Sequence, residues 1–96
     1  MKIRVKAFLT LRKIMGDQAS LEIEAGKLTI RDLLEELSIR FGDEFRDMIL
    51  ETESQPGFRY IQILVNGRHY RHLPNSLDTE LKEGDELSLF PPLAGG

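Results

Sequence analysis

Residues 2–9 alternate. Ile3, Val5, Ala7 and Leu9 fall on one side, with Lys2, Arg4 and Lys6 on the other. That period of two, carried by β-branched residues, predicts a half-buried strand. Phe8 interrupts the polar side and is a candidate cover for the sheet edge. Thr10 to Met15 then carries Leu11, Ile14 and Met15 at helical spacing, enough for a single turn before Gly16-Asp17 ends it. Alternation returns over residues 18–24, with Ala19, Leu21 and Ile23 set against Ser20, Glu22 and Glu24. The two alternating runs predict a hairpin with a wide loop.

Gly26-Lys27 breaks the second run. Thr29-Ile30-Arg31-Asp32 has the form of a capping box with Asp in the place of the usual Glu: the Thr29 hydroxyl accepts an orphan N–H, and Asp32 reaches back. Leu28 and Leu33 stand at the staple positions flanking that cap. Ile30, Leu33, Leu34, Leu37 and Phe41 follow at spacings of three and four, one apolar stripe of an amphipathic helix. Gly42 is its natural stop. Asp43 is placed to cap a short second helix with Phe45, Met48 and Ile49 turned inward. Glu35 and Glu36 lie on the polar face and read as solubility, not catalysis.

Glu51 to Gly57 is polar and punctuated, a loop by composition. Tyr60 to Val65 predicts the next strand, closed by Asn66-Gly67, a strong hairpin signal. Arg68 to Tyr70 returns as a short strand. Leu73 to Leu81 reads as irregular with one turn near Asp78, and Glu83-Gly84-Asp85 as another turn. Glu86 to Phe90 is the last strand, with Leu87 and Leu89 inward. Pro91-Pro92 ends it, because neither residue donates to a ladder. The order strand, strand, helix, strand, strand, strand implies an α+β architecture, one main helix across a mixed sheet of four or five strands. The first and last strands are candidates to run parallel in its centre. The expected division is a domain over residues 1–90 and a flexible tail over residues 91–96.

Length and charge narrow the function. Ninety-six residues suit one domain. The formal net charge of -3 gives no reason to expect nucleic-acid binding, which wants clustered Lys and Arg. Arg68, His69, Arg71 and His72 form the one small basic patch. No apolar run is long enough to span a membrane, and Met1-Lys2-Ile3-Arg4 does not open a signal peptide, so cytoplasmic residence is expected. There is no cysteine. That removes disulfides, thiolate catalysis and persulfide chemistry on a side chain. There is no Walker-type phosphate loop. His69 and His72 lack an evident third partner, so no metal is expected.

The finish is the most specific feature. Phe90-Pro91-Pro92-Leu93-Ala94-Gly95-Gly96, together with Val65-Asn66-Gly67-Arg68 and Leu81-Lys82-Glu83-Gly84-Asp85-Glu86-Leu87, resembles the MoaD/ThiS family of ubiquitin-like sulfur carriers. The ending looks closest to the small subunit of molybdopterin synthase and to small archaeal modifiers. The long segment from about Phe45 to Phe58 leans toward the archaeal branch. The resemblance implies a β-grasp fold. It also implies that the Gly96 carboxylate is adenylated by a separate ubiquitin-activating-type enzyme and converted to a thiocarboxylate. This chain would then be a carrier, not an enzyme, binding no cofactor itself while the activating partner uses ATP. The implied sulfur recipient is the molybdopterin synthase large subunit. Conjugation to target-protein lysines and sulfur donation for tRNA thiolation are the alternatives.

The tail composition suits such a role. Extended, residues 91–96 reach roughly 20 Å at about 3.3 Å per residue. Gly95 and Gly96 have no side chains, so a narrow channel can close around them. Pro91 and Pro92 stiffen the base, and Leu93 and Ala94 are candidates to line the partner's channel. The competing account is a frayed end. Phe8 and Phe90, if both exposed on neighbouring strands, make an apolar docking patch; core packing at a sheet edge is the other reading. Arg68 and Arg71 either steer an acidic partner or are a plain solvated edge.

Overall fold

The computed structural model describes residues 1–16, 20–47 and 62–91. Outside them fall several sequence readings: the start of the second strand, the Met48–Ile49 part of the short helix, the loop from Glu51 to Gly57, Tyr60 and Ile61, and the tail residues Pro92, Leu93, Ala94, Gly95 and Gly96.

Strand β1 (Lys2–Ala7) buries Ile3, Val5 and Ala7 and leaves Lys2 and Arg4 in solvent. It ends two residues before Leu9, which the alternation had placed on the buried face. Leu9 is instead 64% exposed and precedes helix α1 (Thr10–Ile14). The reason is a turn: the Leu11 N–H donates to the Phe8 carbonyl at 3.2 Å, and that reversal takes Leu9 out of the pleat. Leu11 and Met15 complete the core contribution of this turn of helix.

Strand β2 (Ser20–Glu24) pairs antiparallel with β1, Ile3 opposite Ile23 and Val5 opposite Leu21. The capping box forms as the sequence predicts. Thr29 Oγ1 accepts the Asp32 N–H and Asp32 Oδ2 accepts the Thr29 N–H, both at 3.1 Å. It opens α2 (Ile30–Phe41), whose buried face is Ile30, Leu33, Leu34, Leu37 and Ser38. Ser38 tolerates burial because its hydroxyl donates to the Leu34 carbonyl at 2.9 Å. Gly42 ends the helix at φ 93, a conformation that disfavours side chains, and residues 43–47 are helical with Phe45 fully buried.

Strands β3 (Gln62–Val65) and β4 (Arg68–His69) form the hairpin that Asn66-Gly67 announces. Both turn residues have positive φ, 51 and 84, as a primed two-residue turn requires. β4 is shorter than its sequence implies, because Tyr70–His72 coils into a 3-10 turn that buries the Tyr70 ring. A second 3-10 turn, Ser76–Asp78, buries Leu77. Strand β5 (Glu86–Phe90) buries Leu87 and Leu89.

The sheet order is β2-β1-β5-β3-β4. β1 and β5 run parallel side by side, Val5 opposite Leu87 and Ala7 opposite Leu89, and β5 is antiparallel to β3. Two hairpins joined through central parallel strands, with one helix over one face, make the β-grasp arrangement expected of the chain. Core side chains from four strands and the helix pack together: Ile3, Val5, Ile23, Leu33, Leu37, Ile63, Leu87 and Leu89. The other face of the sheet carries Lys2, Arg4, Lys6, Glu22, Glu24, Glu86 and Ser88, since these alternate with the buried positions in the same register.

Candidate functional site

Because β1 and β5 are parallel neighbours, both leave the sheet at the same end. Phe8 follows Ala7 there, and its N–H donates to the Leu89 carbonyl at 3.1 Å. Phe90 is the last residue of β5. The two rings stack with centroids 4.4 Å apart and planes 6° from parallel. Both are half-buried. Each ring covers one face of the other; the pair packs at the surface rather than in the core, and leaves an apolar edge in solvent. Such a pair contributes on the order of 0.5–1.5 kcal/mol beyond its area. Pro91 follows and is buried, so the packed body extends through residue 91.

Beside the stack lies Leu9. With φ 55 and ψ -127, and with the Phe8–Leu11 hydrogen bond around it, Leu9 occupies the first central position of a type II′ turn. Glycine dominates that position because a Cβ is crowded there, and strain of this kind is of order 1–3 kcal/mol. No sequence signal marks the turn, since neither glycine nor asparagine stands at it. A surface cavity of ≈ 450 Å³ adjoins it, lined by Lys6, Ala7, Phe8, Leu9, Arg12 and Ser20. Lys6 is half-answered by Glu86, Nζ to Oε2 at 3.3 Å, while Arg12 makes no ion pair among the described residues.

The two arginines of the predicted docking surface sit elsewhere. Arg68 is level with Val65, and through it with Leu87, three residues from Phe90 along β5 and two strands to the side. It lines a different cavity of ≈ 450 Å³ with Val65, Leu73, Thr79, Lys82 and Asp85. Arg71 is exposed in the 3-10 turn. The structure therefore brings Phe8, Phe90 and Pro91 together and leaves Arg68 apart from them. The remaining site residues, Pro92 through Gly96, lie beyond the described ones.

His69 takes a part that its surface position did not suggest. Its Nδ1 accepts the Arg71 N–H at 3.2 Å, and its Nε2 lies 2.9 Å from Gln62 Oε1. An Nδ1 that accepts requires the proton on Nε2, which then donates to Gln62. The neutral ring thus fastens the 3-10 turn to β3. Burial, and after it the charges of Arg71 and His72, holds His69 below the usual histidine range. The His69 and His72 rings meet edge-on, 6.3 Å between centroids, and among the described residues no group of three or more ligating side chains is placed to hold a metal ion. The register sets His69 opposite Leu64, and Gln62 lies two residues along the same face of β3, so composition could not reveal the latch. Nor does any described helix have the length and apolarity to cross a membrane.

The sequence profile of the ThiS family matches residues 5–96. A protein of Archaeoglobus fulgidus, provisionally described as a sulfur carrier protein, is 40% identical over 81 residues, 83% of this chain and 88% of the relative. Small archaeal modifier protein 3 of Haloferax volcanii is 30% identical over 96 residues, the full length of both chains. Among solved structures, one from Pyrococcus furiosus, provisionally described as subunit 1 of a molybdopterin converting factor, superposes with a TM-score of 0.67. It is 30% identical and covers 97% of this chain and 99% of its own. Relatives described as carriers and modifiers bear out the reading of the chain as a carrier rather than an enzyme. The chain belongs to the ThiS family, the ubiquitin-like sulfur carriers and modifiers that include the MoaD type.

Proposed function

We propose that the working group is the Gly96 carboxylate and that this chain delivers sulfur from it. A carboxylate is a poor electrophile. On an adenylating enzyme of the ubiquitin-activating type, one carboxylate oxygen attacks the α-phosphorus of ATP and pyrophosphate leaves. Hydrosulfide then adds to the acyl carbon. The carbon–oxygen bond to AMP breaks, and a thiocarboxylate remains. This chain offers no phosphate loop of its own, so both steps belong to the partner. Its residues supply placement. β5 carries the backbone to the sheet end, Pro91 is buried there, and five residues follow, at most about 17 Å when extended. Gly95 and Gly96 present nothing but backbone to a channel. That exit beside an apolar aromatic pair, in a chain ending Gly-Gly, is the observation that carries the reading.

The destination we favour is molybdopterin synthesis, with the thiocarboxylate inserted into the larger synthase subunit. The likeness to the Pyrococcus furiosus protein supports it. The test uses the thiocarboxylated chain prepared chemically, mixed with a synthase large subunit and its pterin precursor. Sulfur transfer followed by hydrolysis returns Gly96 to a carboxylate, a mass loss of about 16 Da that requires both components. Retention of sulfur in the complete mixture excludes this destination. The second reading, conjugation of activated Gly96 to target-protein lysines, is favoured by the full-length match to a small archaeal modifier. It predicts adducts that survive reducing denaturation and vanish when Gly96 is deleted.

A further inference from the structure

Leu9 is costly to this domain in two ways, and the domain alone recovers neither. Its side chain is a large hydrophobe with 64% of its surface in solvent. Its backbone holds φ 55 in a turn position that glycine fills without strain. No side-chain hydrogen bond caps the helix that follows. An outlier of this kind points from conformation to function.

Its setting indicates what would cover it. Leu9 stands in the turn directly after Phe8, whose ring stacks on Phe90, so it lies at the same end of the sheet as Pro91, five residues before Gly96. Any protein that reaches Gly96 must approach within a short tail's length of this end. The adjoining cavity has an apolar wall, Ala7, Phe8 and Leu9, with Lys6 and Arg12 at its margin. Lys13 follows on the same turn of helix. In a chain of net charge -3, Leu9 therefore has cationic side chains at its border.

We propose that Leu9 is a docking anchor, read together with Phe8, Phe90 and Arg12, for the protein that activates Gly96. The matching surface on that partner is an apolar recess for Leu9 bordered by carboxylates facing Arg12. The choice of partner rests on the proposed role of Gly96. The strain at Leu9 and its exposure do not.

The test uses full-length chains and the cognate adenylating enzyme, with three readouts: melting temperature, dissociation constant by calorimetry, and pyrophosphate release. Leu9→Gly removes the strain, so it melts no lower than the wild type, yet it weakens binding by about tenfold or more, as loss of an interface anchor does. Arg12→Glu weakens binding more at low salt than at high salt. Unchanged affinity in Leu9→Gly overturns the proposal. So does a melting temperature lowered by about 8 °C or more, since Leu9 would then serve the fold. Failure of the wild type to bind the enzyme overturns it too, as does self-association that Leu9→Gly abolishes. Tight, Leu9-dependent binding without pyrophosphate release leaves the anchor standing and sinks the role given to Gly96.

Discussion

The stack of Phe8 on Phe90 joins the two central strands beyond their last ladder bond, and its strength can be measured. A fully buried phenylalanine replaced by alanine costs about 3–5 kcal/mol. Both rings here are half-buried, so each single replacement should cost about 2 kcal/mol. If the rings interact as their 4.4 Å separation and 6° interplanar angle indicate, the double variant should cost about 3 kcal/mol rather than 4. The coupling near 1 kcal/mol is the stack itself. Urea unfolding of wild type, Phe8→Ala, Phe90→Ala and the double variant, at neutral pH and with unchanged slopes, gives all four corners. A cycle additive within about 0.3 kcal/mol would refute the pairing. A single replacement costing more than about 4 kcal/mol would place that ring in the core, against its observed exposure.

Three further outcomes are expected. Thr29→Ala should lower stability by about 1 kcal/mol in urea unfolding, because it removes one half of the observed capping box; a loss under about 0.2 kcal/mol would deny the cap any energetic role. Asn66 accepts the Glu86 N–H and donates to Asp85 Oδ1, both at 2.9 Å, while holding φ 51. Asn66→Gly should therefore cost about 1 kcal/mol and Asn66→Ala about 2, and the reverse order would contradict this division between bonds and backbone. His69 titrates below its unfolded value of about 6.5, so the unfolded chain takes up the proton first as pH falls. Its contribution is complete above that value and is lost as pH falls through the lower folded one. The stability difference between wild type and His69→Gln should shrink from pH 8 to pH 5, as read from urea midpoints, and a constant difference would show that the latch does not titrate.

Much of the frame was legible because local chemistry and global fold agree in it. Thr29 and Asp32 cap the helix they announce, Asn66-Gly67 makes its hairpin, and Ile3, Val5, Leu87 and Leu89 point where alternation sends them. Leu9 was misplaced for a physical reason. Alternation counts side chains, and it cannot see a turn that reverses the backbone after Phe8 with no glycine to mark it. The aromatic pair was visible as two residues on the polar side of their strands, but that they meet follows only from the parallel register of β1 and β5. Arg68 shows the converse. Basic charge near the hairpin suggested a place in the docking surface, and the strand order carried it to another cavity. His69 and Gln62 are seven residues apart, joined across a tight hairpin, a contact that composition does not encode.

In the proposed function Gly96 is an acid that another protein energises. The direct measurement is the intact mass of the full chain after incubation with its adenylating enzyme, ATP and a sulfide source, beside a chain lacking Gly96. Exchange of one oxygen for sulfur predicts a gain of about 16 Da in the intact chain alone, dependent on ATP. An unchanged mass in the intact chain, or the same gain without Gly96, would contradict it.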